Sequence, residues 1–410
     1  MLQFVRSVTA SARLAATAQS VRPALSSLLP SKRTINRILF DHDSNITYGK
    51  MIPLLTHIYD NLATPSKIEI PKNIRGSDLM VFRKLLATIR TQTQSINSHL
   101  FALENEIVEQ SAEMGDLDAI TILAFEKIRQ YLKRETVVSP ADKEDYQTAQ
   151  KLIEELTDLK HPLVFKLAGD LALERSMWDQ AHSYYTQFLK VENDTIEAGH
   201  VCYQLGYYHY ANPQQSIRDY NQAKSWFLKC IELTDLDLYS VKAHYYVGQI
   251  YLNELTTTPK SESESKSESE LIKRAKYHWE ISASKGLIES FSSLGFLEMN
   301  KLNNCILAIE WFKLGLESDR TDCLCLVGQF DCYFKMKEWP RARKIWMNLN
   351  DLREKIESVK KKSGGGGGSS NDIVPENMRE SFNRNDALLN SFFSGRENEF
   401  KELEERGYGL

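Results

Sequence analysis

Apolar residues recur along this chain at three- and four-residue spacing, in short stretches that come two by two. Inside each first stretch lies one glycine: Gly169, Gly206, Gly248, Gly295 or Gly328. Each second stretch opens on an alanine: Ala181, Ala223, Ala275, Ala308 or Ala342. With the glycine as position 8 and the alanine as position 20 of a helix-turn-helix unit, position 7 is apolar throughout (Ala168, Leu205, Val247, Leu294, Val327). Position 24 is always large: Tyr185, Phe227, Trp279, Phe312, Trp346. The small residues let the two helices of a unit approach closely. The bulky one fills the space between neighbouring units.

This division of labour predicts an all-α fold, a right-handed α-solenoid of tetratricopeptide- or Sel1-like helix pairs. A weaker unit precedes the five, with Ala124 in the glycine place, Ala149 at position 20 and Ile153 at 24. Glycine spacings of 37, 42, 47 and 33 residues are uneven. The excess falls in the loops within pairs, at Asn212–Asp219 and Thr256–Glu270, where it leaves helix packing intact. The repeat array is expected over 115–360, preceded by an N-terminal segment and helical cap over 31–114. In that cap Ser77 can start a helix whose face carries Leu79, Phe82, Leu86 and Ile89, and a second helix covers 98–113.

Composition adds the setting. The first 40 residues hold six basic side chains and no acid, and Leu2, Val5, Val8 and Leu14 lie near one helical face. Residues 1–30 therefore read as a mitochondrial presequence, the alternative being a disordered basic tail. The whole chain has a net charge of −4, so the body without its leader is distinctly acidic. Such a body argues against nucleic acid as a partner, since phosphate contacts need clustered Lys and Arg. Six cysteines without a secretory leader point to free thiols, and no apolar run approaches a bilayer span. The Ser/Glu run at 256–270 reads as a disordered loop, and 361–370 as a flexible Gly/Ser linker, either native or introduced for expression. The acidic tail 371–410 reads as disordered, the alternative being a short amphipathic docking helix.

No phosphate-binding loop, nucleophile elbow, zinc-protease motif or dinucleotide fingerprint occurs, so neither catalytic residues nor cofactors are assigned. Cys323 and Cys325 point about 200° apart on a helix, and no second pair completes a tetrahedral metal set with Cys332. What remains is a groove along the first helices of the pairs. It would be lined by His200, Tyr203, Tyr207 and Tyr210, then Lys242, Tyr245 and Gln249, then Phe296, and finally Gln329 and Tyr333. Aromatic faces with amides suit an extended or helical peptide; the alternative is that these tyrosines complete the core between repeats. A chaperone-type carboxylate clamp is disfavoured. Lys166 and Lys242 fit two of its positions, but Asp170, Gln204 and Tyr246 stand at the others.

Several stretches resemble a fungal mitochondrial family: "KRTINRILF" (32–40), "RGSDLMVFRKLLATIRTQ" (75–92), "EMGDLDAITIL" (113–123), "FKLAGDLALE" (165–174) and "SLGFLEMNKLNNCILAIEWFKLGLE" (293–317). It is the family of matrix-side cytochrome c oxidase assembly factors that promote export of the C-terminal tail of subunit II. The resemblance implies a matrix protein peripherally held at the inner membrane. Its implied partners are the subunit II tail and an Oxa-type insertase with accessory factors. An RNA-linked factor for a mitochondrial transcript is the competing expectation, weakened by the acidic body and the Gly/Ala/aromatic set.

Overall fold

The computed structural model describes residues 22–41, 46–93, 97–133, 139–257, 265–364 and 376–408. All regular elements among the described residues are helical. The chain divides into two compact units, Met1–Asn193 and Asp194–Leu410.

The first unit opens on a cap of α1 (Leu25–Leu28), α2 (Lys32–Asp41), α3 (Tyr48–Asp60), α4 (Gly76–Thr93) and α5 (Ser98–Glu113). Its core joins Ile35, Met51, Leu55, Phe82, Leu86 and Ile107. Each of these belongs to an apolar stripe at helical spacing, which is why the segments fold inward as they do. Helix α5 starts where the spacing placed it, because Asn97 Oδ1 accepts the amides of His99 and Leu100 at 2.9 and 3.3 Å. Helix α4 starts at Gly76, just ahead of the expected Ser77 cap; the Asp78 carboxylate instead takes the Arg75 amide at 2.9 Å. Residues 22–30, assigned above to the presequence, belong to this cap. Arg22 donates to the Tyr59 carbonyl at 2.7 Å, Tyr59 donates to the Pro23 carbonyl at 3.0 Å, and Leu25 is buried. The presequence reading of residues 1–21 lies outside the described residues.

Two helix pairs follow: α6 (Leu117–Lys133) with α7 (Pro140–Asp158), and α8 (Pro162–Glu174) with α9 (Trp178–Val191). A Cβ at Gly169 would lie 2.5 Å from the Tyr185 ring, so only glycine admits this approach. Tyr185 then donates to Asp170 Oδ1 at 2.7 Å, which gives that carboxylate a packing role. Burial nevertheless pushes the Asp170 carboxyl above its usual range.

The second unit contains α10 (Ile196–Ala211) with α11 (Tyr220–Leu233), α12 (Leu238–Thr257) with α13 (Ser265–Ser284), α14 (Ile288–Asn300) with α15 (Cys305–Ser318), and α16 (Cys323–Lys335) with α17 (Trp339–Gly364). Consecutive helices pack side by side, and α10 also meets α12, as α14 meets α16. Each next-but-one contact brings together the first helices of neighbouring pairs, which is solenoid packing. A Cβ at Gly206 would meet the Phe227 ring at 2.7 Å, and one at Gly248 would meet Trp279 Cε2 at 2.9 Å. The position-24 aromatic thus lies directly over the glycine of its own pair. Phe312 does so for two pairs. A Cβ at Gly295 would run into its Cε1, with Cδ1 at 2.7 Å, and one at Gly328 would run into its Cζ, with Cε1 and Cε2 at 2.5 Å. Trp346, the expected partner of Gly328, turns away toward the C-terminal helices.

Three expectations for this unit change. Of the presumed disordered loop 256–270, residues 265–270 form the first turns of α13, and 258–264 lie outside the described residues. Glu268 suits the positive end of the helix, and Glu270 pairs with Arg274 at 3.0 Å, so the acidic run starts a helix after all. Helix α17 runs through the lysines to Gly364, into the segment read as linker. The tail forms α18 (Glu376–Gly395) and α19 (Glu397–Glu405), packed on α16 and α17. Leu389, Phe392 and Leu403 are buried there; Phe330 meets Phe392 and Phe400 at 5.1 and 6.0 Å between ring centres. Arg396 holds Asp331 through two bonds of 2.9 and 2.7 Å. The mean composition of the tail is polar, but its apolar residues fall on one stripe, and α16 and α17 leave a face that needs covering.

Between α12 and α13, His244 and His278 bring their Nδ1 atoms to 2.8 Å, with both side chains buried. Burial pushes each imidazole down to about 4 from 6.5, and for His278 the charges of His244 and Arg274 add to it. An unfolded chain takes up these protons first as pH falls from 6.5 toward 4, so stability drops through that window. The slope is about 1.4 kcal/mol per pH unit for each histidine. Thermal unfolding at pH 7 and pH 5 should show this loss, and the His244→Leu/His278→Leu variant should show a shallower one.

Candidate partner-binding face

The ten groove residues sit on α10, α12, α14 and α16, the first helices of four successive pairs, but the structure gives them different work. His200 is taken up by a loop. Its Nε2 lies 2.6 Å from Asp237 Oδ2, and its ring stacks on Tyr239 at 4.2 Å. Asp237 in turn accepts the amides of Tyr239 and Ser240, each at 2.9 Å, and so starts α12. Burial alone would raise the Asp237 carboxyl; hydrogen bonds from His200 and Ser240 outweigh it and hold the carboxyl below its ordinary value.

Tyr203 is 8% exposed and packs against Phe227 at 5.8 Å and edge-on to Tyr239 at 5.5 Å. It is a core residue, with its hydroxyl pushed strongly up by burial. Phe296 likewise serves the core, edge-on to Phe312 at 5.1 Å. Tyr207 and Tyr210 are half-buried. They meet at Tyr246, 5.8 and 4.8 Å away, which itself stacks on Phe227 at 5.3 Å. Burial pushes the Tyr210 phenol up to about 12, so it stays a neutral donor.

Tyr245 and Gln249 form the polar part of the face. Gln249 Nε2 donates to the Tyr245 hydroxyl and to Ser293 Oγ, both at 3.2 Å. Lys242 lies one turn before Tyr245 on α12, half-buried and without an ion pair among the described residues. The Tyr245 phenol is raised, mainly by burial, while hydrogen bonds with Ser293 and Gln249 pull it down.

Gln329 and Tyr333 stand apart from the tyrosine cluster. They line a cavity of about 410 Å³ formed by α15, α16 and α17, with Leu316, Leu326 and Ile345 as apolar wall and Arg320, Arg341, Lys344 and Asn348 around them. Arg341 lies over the Tyr333 ring at 5.8 Å and within 3.8 Å of Glu338.

The residue pattern missed Tyr246, Ser293 and the basic residues around the cavity. Tyr246 lies outside the positions that line the groove of such repeats, and packing on Phe227 brings it there. The cavity cations come from a loop and a second helix, which a search restricted to first helices passes over. The cysteines are free thiols, and burial raises Cys202 to about 11 and Cys332 to about 12. Among the described residues no three metal-binding side chains converge, and no helix is long and apolar enough to cross a membrane.

Helix pairs closed by glycine–aromatic contacts, with a tyrosine-rich face on their first helices, define a helix-pair repeat protein of the tetratricopeptide type. The family model for the MSS2 N-terminal domain matches residues 21–116, which span the cap. The chain is 36% identical over 337 residues to Protein MSS2, mitochondrial, of Saccharomyces cerevisiae, covering 82% of this chain and 86% of that one. It belongs to the MSS2 family. Among solved structures, the type IV pilus biogenesis factor PilW overlays with a TM-score of 0.38 at 16% identity, over 57% of this chain and 92% of that one. Yeast Tom70 overlays with a TM-score of 0.37 at 9% identity, over 96% of this chain and 70% of that one.

Proposed function

We propose that this chain is a non-catalytic mitochondrial adaptor acting at the matrix face of the inner membrane. It holds the C-terminal tail of cytochrome c oxidase subunit II, or the matrix segment of an Oxa-type insertase, while that tail is exported. The observation that carries this reading is the kinship with a yeast mitochondrial protein along most of both chains. The half-buried face of Tyr207, Tyr210, Tyr245 and Gln249 supports it. It offers ring surface to an apolar side chain and hydroxyl and amide groups to a peptide backbone. Export draws its driving force from elsewhere, and the adaptor's contribution is to keep the tail unfolded and close to its exit.

Tyr203 is too deeply buried to serve as a probe of the face. The Tyr207→Ala/Gln249→Ala variant touches only half-buried positions. In mitochondria it should capture the subunit II tail or the insertase roughly tenfold less well, equivalent to about 1.4 kcal/mol, while still unfolding cooperatively above the temperature of the assay. Undiminished capture removes the face from the mechanism. Protease protection of subunit II in mitoplasts lacking the protein tests the function itself: the N-terminal part should be inserted and the C-terminal tail retained inside. Absence of subunit II synthesis would place the defect before export.

A further inference from the structure

The cavity between α15, α16 and α17 has the chemistry of a binding site. Gln329 is 4% exposed and Tyr333 8%, yet neither bonds to a protein group through its side-chain amide or hydroxyl among the described residues. Neither is among the polar atoms sealed from solvent, so both groups open into the cavity they line. An amide that meets only solvent there can exchange it for the donor and acceptor of a ligand. Arg320 and Lys344 are exposed at the cavity, and neither has an acidic partner among the described residues. The volume of about 410 Å³ falls in the range of small-ligand sites.

We propose that this cavity binds an acidic segment of a polypeptide. A Glu or Asp carboxylate would sit with Arg320 and Lys344, the peptide group would bond to the Gln329 amide, and an adjacent apolar side chain would rest on Leu326 and Ile345. A phosphate group fits less well. Phosphate offers mainly acceptors, which would leave the Gln329 carbonyl unanswered and the apolar wall unused, whereas a peptide group supplies both donor and acceptor. The site lies outside the clamp positions excluded above, because its cations come from the α15–α16 loop and from α17. The proposal rests on the reading of the protein as a polypeptide adaptor and adds the charge of the segment it takes.

The test uses the purified full chain and a fluorescein-labelled peptide alternating leucine and glutamate, beside its leucine–glutamine counterpart, followed by anisotropy. The glutamate peptide should bind. Its affinity should fall at least about tenfold in Arg320→Ala/Lys344→Ala, and also in Gln329→Met, at an unchanged melting temperature. Equal binding of the two peptides, or full affinity in the double variant, overturns the proposal. So does displacement of the peptide by inorganic phosphate at equimolar concentration. Preferential binding to phosphatidylglycerol vesicles that the same variant abolishes overturns it in favour of a lipid surface. The Tyr207→Ala/Gln249→Ala variant should keep this peptide. If the cavity variant still captures subunit II or the insertase and Tyr207→Ala/Gln249→Ala does not, the cavity proposal fails while the adaptor reading stands.

Discussion

Phe312→Ala is expected to lose about 3–5 kcal/mol of stability, the largest effect of any single truncation in the second unit. The ring is fully buried and lies between the glycines of two successive first helices, Gly295 and Gly328, with Phe296 on its edge. Removing it opens a cavity against three helices at once, so two pairs loosen together. The same geometry makes Gly328→Ala destabilising. Alanine is favoured over glycine inside a helix by about 1 kcal/mol. Here its Cβ would lie 2.5 Å from two ring carbons that have no room to retreat, an overpacking that costs about 1–3 kcal/mol. Combining Gly328→Ala with Phe312→Leu gives the methyl group space. The double variant should therefore be more stable than the two separate losses predict, as measured by urea unfolding. Strict additivity would show that the ring and the glycine do not meet.

Removing residues 365–410 is expected to destabilise the second unit by several kcal/mol. Leu389, Phe392 and Leu403 are buried against α16 and α17, each contributing about 1.5–3 kcal/mol, and Phe330 would be laid bare. Hydrogen exchange should then speed up in α16 and α17 and leave the first unit unchanged. Arg396→Ala separates charge from apolar cover. It removes the two bonds to Asp331 and the guanidinium that lies 4.9 Å over the Phe392 ring, leaves Leu389, Phe392 and Leu403 in place, and should weaken docking of α18 and α19 by about 1–3 kcal/mol. Arg396→Lys should recover only part of this, since an ammonium cannot form the fork. If the truncated chain melts like the full one, the tail is not part of the fold.

The repeat beat was legible because close approach leaves a compositional mark. Only glycine fits beneath Tyr185, Phe227 and Trp279, so its positions could be counted without any structure. Trp346 shows where this stops. It satisfies the pattern at position 24, but it meets Phe393 and Phe400 at 6.0 and 6.3 Å instead of Gly328. Those partners lie beyond a glycine-rich stretch, and spacing arguments do not cross such a stretch. The candidate face was legible by helix and less so by exposure. Periodicity placed Tyr203 and Tyr207 near one another, but only the packing of Phe227 and Tyr239 decides that the first is core. His200 could be found as a residue of the first helix, while its partner Asp237 comes from a loop whose path the sequence leaves open.

Helices within each unit make their principal contacts with the next helix or the next but one. Little of the structure waits for distant parts of the chain, so contact order is low and loop-closure entropy is spent in small steps. A chain emerging N-terminus first, from a ribosome or a membrane channel, can therefore complete each helix pair as it appears. Helices α18 and α19 follow the last pair and cover the apolar face that α16 and α17 leave. Their docking on Phe330 and Trp346 therefore waits until that pair has formed.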